Sequence, residues 1–402
     1  MTQLFKFLSR AFKLVFPGIA QDAGMATSRF RPGAPCSSDT RDKPINRQGE
    51  SDMATPTRSA VRAALLGAGL LLATQAMAQQ QKITVAWYGG NWGDAFRACV
   101  ADPYTKATGV TVVPEVGTST TTLAKLQQQK NAPTIDVAWM DGGISELAAQ
   151  AGVLDTLDPA AIPNLKNVID QGVYRNGDAA YAVSTGYYSL GITYNTKEVP
   201  QAPTSWKDLW KPEYAGAVAV PSPANSSGVP FIFFLARVWA IDPSNLAPLY
   251  AKLATLDTAL FFDSSGAASN AYQSGEAIIG AHFNVGAWDL IDKGLPIGFA
   301  VPKEGAWATD ARLHLVKGAP NAAAAKKFID TALTPDAAAC LATRLYLGPA
   351  VKDVQVPKDV ARKLPWGAEG SVKNLSLFDW NLINSRRAEV TDAWNRQVAR
   401  KR

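Results

Sequence analysis

From residue 83 onward, short runs rich in β-branched and aromatic side chains alternate with helical stretches, which confines the chain to a few folds. Ile83-Thr84-Val85-Ala86-Trp87-Tyr88 reads as a strand and ends in the turn signal Gly89-Gly90-Asn91. A helical stretch over 95–108 stops at Gly109, a residue suited to a left-handed C-terminal cap. Strand-like 110–113, helical 122–130 and strand-like 135–140 follow, and the pattern resumes at 217–220, 230–239, 277–281, 287–293 and 297–301. The chain ends in helical segments at 322–333, 335–343 and 383–400. Strands alternating with helices of this length predict crossover units, a mostly parallel sheet and an α/β fold. Residues 79–402 exceed one ordinary core, so two lobes with a cleft between them are expected. Such sheets bind ligands at the carboxyl ends of their strands, which nominates the loops 89–94, 141–143 and 223–228 as cleft walls.

The chain carries a formal net charge of +6, a balance that invites a nucleic-acid or membrane-surface partner. Its distribution removes that invitation. Residues 1–78 hold 10 Lys and Arg against 5 Asp and Glu, and residues 79–402 hold 30 against 29. A nearly neutral body has no long-range field for phosphate backbones, so no nucleic-acid partner is expected. The basic leading part has the layout of a secretory signal peptide over 53–78. Arg58 and Arg62 precede an apolar run at 63–73, and Ala76-Met77-Ala78 offers a small-x-small cut after Ala78. The run is shorter than the roughly 20 residues a bilayer span needs. Residues 1–52 are then an upstream extension, expected to be disordered, with the true start at Met53. The other reading of their first part is a basic amphipathic helix over 4–16.

Two cysteines remain after such a cut, Cys99 and Cys340. An oxidising compartment favours a disulfide between them, and two separate buried thiols are the alternative. No zinc spacing exists, and His282 and His314 are too few to build a metal cluster, so neither metal nor cofactor is expected. The chain has no G-x-S-x-G elbow, no H-E-x-x-H, no P-loop and no G-x-G-x-x-G after a strand. Asp94, Asp141 and Asp310 could converge for acid/base work on a glycan. Carboxylates among tryptophans and tyrosines serve equally well to hold a cation, so binding is favoured over catalysis.

Residues 204–214 read Thr-Ser-Trp-Lys-Asp-Leu-Trp-Lys-Pro-Glu-Tyr, followed by Ala215-Gly216. This segment resembles the periplasmic spermidine/putrescine-binding proteins, which feed ATP-driven (ABC) importers. Asn91-Trp92-Gly93-Asp94, residues 105–110, 183–195 and 276–280, Pro302-Lys303-Glu304-Gly305 and Thr334-Pro335-Asp336 are similar as well, and the likeness fades beyond Pro349. The resemblance implies a two-lobed type II periplasmic binding fold. Residues 79–186 and 316–402 would form lobe 1 and residues 187–315 lobe 2, with a ligand cleft between them. It further implies a monomer in the periplasm whose closure is read by the permease subunits of an importer.

By the same resemblance, aromatic walls sandwich a methylene chain while carboxylates grip its ammonium groups. Trp92 and Asp94 match one aromatic and carboxylate, and Asp310, in the stretch from Trp307, matches an acid that grips an amine. Tyr187 and Tyr188 stand on the first crossover and Phe283 near a further aromatic wall. Each has a structural alternative: Trp92 as a turn residue, Asp94 as a helix cap, Asp310 as the partner of Arg312. Residues 221–228, where the family carries its second acidic cluster, hold no carboxylate here. Ser226, Ser227 and Gly228 instead precede a helix, an arrangement that suits an anion or a plain N-cap. The expected solute is therefore a polyamine, or a zwitterion such as 4-aminobutyrate or an aminophosphonate. The Tyr187-Tyr188 pair raises a ferric-ion site as a further rival, opposed by the absence of a tyrosine at 281–284.

Overall fold

The computed structural model describes residues 81–399. The expected signal peptide at 53–78 and the expected extension at 1–52 lie outside the described residues. One ten-stranded sheet organises the fold, in the order β2-β1-β3-β10-β5-β8-β6-β7, with β4 and β9 paired to β5. The strands are β1 (Lys82–Trp87), β2 (Thr111–Val116), β3 (Val137–Asp141), β4 (Val173–Asn176), β5 (Ala179–Asn195), β6 (Val218–Pro221), β7 (Thr258–Phe262), β8 (Ile279–Phe283), β9 (Ile297–Ala300) and β10 (Trp307–Leu315). β1 is parallel to β2 and β3, and β6 is parallel to β7 and β8. The long β5 and β10 run antiparallel through the middle. The sheet thus has two parallel halves joined by β5. Leu190 is the changeover point, paired with Trp307 of β10 and with Phe283 of β8.

Aromatic packing holds each half. In the first, the Phe96 and Trp139 rings stack with centroids 3.9 Å apart, and the Tyr104 hydroxyl donates to the Ala324 carbonyl at 2.9 Å. Cys99 and Cys340 are joined in a disulfide, their Cα atoms 5.5 Å apart. It ties the π-helical turn Arg97–Ala101 to the helix Pro335–Leu345. In the second half, Trp206 is buried against Phe231 and Phe234, and Trp210 packs edge-on against Trp239. Both tryptophans of the 204–214 segment are therefore packing residues. Ser205 caps the short 3-10 helix Trp206–Trp210, and Asp208 accepts from the Ser205 backbone N–H in return.

The expected helix at 95–108 begins earlier, with Asn91–Phe96 after Gly90, and runs through the π turn to Asp102–Thr108, closed by Gly109 at φ 72°. The expected helix at 383–400 is two helices, Trp380–Ser385 and Arg387–Gln397, meeting at Arg386. These belong to a C-terminal strap, residues 366–399. Ser376 accepts from the Ala308 N–H at 3.0 Å, and Trp380–Ser385 packs against both Ile144–Gln150 and Gly228–Val238. Gly143 lets it approach: at φ 89°, a Cβ there would lie 2.7 Å from the Trp380 ring. The last helix packs on Gly228–Val238 and Ala247–Leu253, with Trp394 edge-on to Phe261 at 4.8 Å. The strap thus touches both halves of the sheet.

Candidate functional site

β1 and β3 are parallel neighbours, so their carboxyl ends deliver Tyr88 and Asp141 to one place at the edge of the sheet. A cleft of about 370 Å3 opens there, walled by loops of the first half and by β5, β8 and the helix Ser265–Ser274 of the second. Asp141 is its buried carboxylate. Four hydroxyls donate to it. Tyr88 Oη lies 2.7 Å from Oδ1, which also accepts from the Tyr188 hydroxyl. Ser119 Oγ lies 2.8 Å and Ser226 Oγ 2.6 Å from Oδ2. Ser119 also accepts from the Asp141 N–H at 2.9 Å, which fixes the carboxylate's own backbone.

Burial, followed by the Asp141 charge, pushes both phenols well above the usual tyrosine range. They stay protonated and serve as donors. Around this polar centre the rings form a chain of edge-to-face contacts: Tyr88 to Trp92 at 5.3 Å, Trp92 to Tyr188 at 5.1 Å and Tyr188 to Phe283 at 4.8 Å. The arrangement places ring faces beside a carboxylate, a combination that attracts cations. Ser226 reaches Asp141 from the opposite half of the sheet, and Thr120 Oγ1 donates to the Ala224 carbonyl at 3.2 Å beside it. The two walls therefore touch. The far wall is uncharged and polar, with Ser264, Ser265, Ser269, Asn270 and Gln273, while Asp289 and Lys293 pair at 2.8 Å on the rim.

Five of the ten candidate ligand residues line this cleft: Trp92, Asp141, Tyr188, Ser226 and Phe283. Asp94 is exposed in the first turn of Asn91–Phe96 and does not line it. Ser227 is buried and turned to Asn225, whose Oδ1 accepts its hydroxyl at 2.6 Å and its N–H at 2.9 Å. Strand alternation separates Tyr187 from Tyr188, so the adjacent pair does not converge as a ferric site would require. Trp307 shares the face of Tyr188 but is covered by Phe378 and Trp380. Among the described residues, no three His, Cys, Asp or Glu side chains gather as a metal site.

Asp310 lies opposite Tyr187 in the β5–β10 register, which turns it to the face away from Tyr188. It is 1% exposed and accepts from Arg312 Nε and from the Tyr174 hydroxyl, both at 2.8 Å. Arg312 extends a second bond, 2.6 Å, to Glu146 and stacks on the Tyr174 ring. Burial pushes the Asp310 carboxyl up, opposed by the attached guanidinium. Tyr88 and Ser119 escaped the sequence reading. The first ends a strand just before Gly89-Gly90, and the second sits in the Thr118-Ser119-Thr120 run that opens a helix. Both positions carry a signal for strand or helix ends rather than for ligand contact.

Residues 100–365 match the family model described as bacterial extracellular solute-binding protein. The chain belongs to that family. It is accordingly a solute-binding component of transport. Over 284 residues it is 27% identical to the spermidine/putrescine-binding periplasmic protein of Escherichia coli, covering 68% of this chain and 80% of the relative. It is 24% identical over 345 residues to the gamma-aminobutyric acid-binding protein of Pseudomonas aeruginosa, covering 83% and 95%. Among solved structures, an ABC transporter protein from Clostridium perfringens superposes with a TM-score of 0.61 at 24% identity, over 79% of this chain and 99% of that one. The binding protein MotA from A. tumefaciens, in complex with glucopine, gives 0.68 at 19% identity, over 79% and 99%. These likenesses establish the two-lobed type II fold, with the cleft between the lobes.

Proposed function

We propose that this protein is the monomeric periplasmic receptor of an ABC importer, capturing a small amine-bearing solute and delivering it to the permease subunits without chemistry of its own. The observation that carries the reading is Asp141, caged by Tyr88, Tyr188, Ser119 and Ser226 beside the Trp92 and Phe283 rings. Each hydroxyl that donates to the carboxylate keeps lone pairs for an incoming N–H. An ammonium group brings three such donors and a positive charge for Asp141 and the rings. The relatives' names, polyamine-binding and gamma-aminobutyric acid-binding, share an amine. Export through the 53–78 segment, with a cut after Ala78, agrees with the periplasmic naming of the first of them.

Calorimetry of purified protein with amine solutes tests the reading. Asp141→Asn is expected to weaken a bound amine by about 2 kcal/mol, the order of a hydrogen bond to a charged group. Unchanged affinity would remove Asp141 from the site. Turnover of a glycan that is lost in this variant would overturn the transport reading altogether.

A further inference from the structure

We infer that the solute carries a single ammonium group, its other end being a hydroxyl, amide or carboxylate, so that diamines and longer polyamines are poor ligands. The inference rests on the amine-receptor reading above and narrows it. Three charged side chains line the cleft: Asp141, Asp289 and Lys293. Asp289 and Lys293 are joined at 2.8 Å and cancel, which leaves Asp141 as the one carboxylate there not held by a cation. A second ammonium would need a second such carboxylate. Asp310, the position that by resemblance would grip one, faces away and is bonded to Arg312 and Tyr174. Residues 221–228, where another is expected by resemblance, contribute Ser226 instead.

The wall across from Asp141 argues in the same direction. Ser264, Ser265, Asn270 and Gln273 offer donors and acceptors without charge, and Lys293 lines the cleft as the partner of Asp289. A hydroxyl, amide or carboxylate is satisfied by such a surface. A second ammonium there gives up part of its hydration and meets only a carboxylate already joined to Lys293. Discrimination thus comes from the missing partner at the far end of the site as much as from Asp141.

The decisive comparison holds chain length constant. Calorimetric titration of the unmodified protein with 4-aminobutanol, 4-aminobutyrate, putrescine and spermidine reads it directly. At least one of the two mono-ammonium compounds is expected to bind about tenfold or more tighter than putrescine, with spermidine no better than putrescine. Lys293→Gln, which leaves Asp289 without its cation, is expected to narrow that gap by strengthening putrescine. Putrescine or spermidine binding as tightly as both mono-ammonium compounds would overturn the inference. If Asp141→Asn then weakened all of them together, the amine site would stand and only the single-charge inference would fall. Binding of none of the four would sink both.

Discussion

Arg312 holds Asp310 through a 2.8 Å Nε bond while its other arm holds Glu146, so a carboxylate expected to grip ligand is committed to the interior of the fold. Both members of the pair are about 1% exposed. Removing one charge from such a pair strands the other in a place water cannot reach. Asp310→Asn is therefore expected to cost about 3 kcal/mol of stability in urea unfolding while leaving ligand affinity within a few-fold. A variant with normal stability and collapsed affinity would return Asp310 to the site.

The two histidines make stability fall on mild acidification. Burial holds His282 down to about 4 and His314 down to about 3, against an ordinary value near 6.5. The His314 Nδ1–H donates to the Ala138 carbonyl at 2.9 Å, so its Nε2 accepts from the Ser145 hydroxyl at 2.8 Å, an arrangement the neutral ring alone can make. The unfolded chain takes up both protons below about pH 6.5, whereas the folded one resists until about pH 4. Their contribution is thus fully present above pH 6.5 and drains away as pH falls through that window. Between pH 7 and pH 5.5 the loss is expected to be about 2 kcal/mol, read from urea midpoints. A flat profile over that range would show that the rings protonate without unfolding.

The Cys99–Cys340 bond spans 241 residues of sequence. A crosslink over so long a loop constrains the unfolded chain strongly, and its loss through Cys340→Ser is expected to cost about 2–5 kcal/mol. Intact mass before and after reduction, together with the thermal midpoint of the variant, checks this. A variant as stable as the parent would reduce the bond to a by-product of proximity.

What the sequence made legible follows from local rules. Period and turn chemistry located β1, β3, the Gly109 cap and the tryptophans of 204–214, because each depends on a few adjacent residues. The disulfide partners were readable because only two cysteines remained to pair. Asp141 and Ser226, named from loops at strand ends, and Trp92, Tyr188 and Phe283, named through the resemblance, all line the cleft. The choice of carboxylate was not readable. Which of Asp94, Asp141 and Asp310 faces the cleft depends on strand register: pairing Asp310 with Tyr187 instead of Tyr188 turns it to the other side of the sheet. The strap was equally hidden, since its fit against Gly143 and Phe261 exists only once both halves are assembled.

The same disulfide makes a covalent ring of everything from Cys99 to Cys340, which includes every strand except β1. A single protease cut inside that ring opens it without releasing a fragment. A nicked molecule would keep its full mass until a reductant separated the pieces. Limited proteolysis judged only on non-reducing gels would therefore understate how often the surface loops of this receptor are cut.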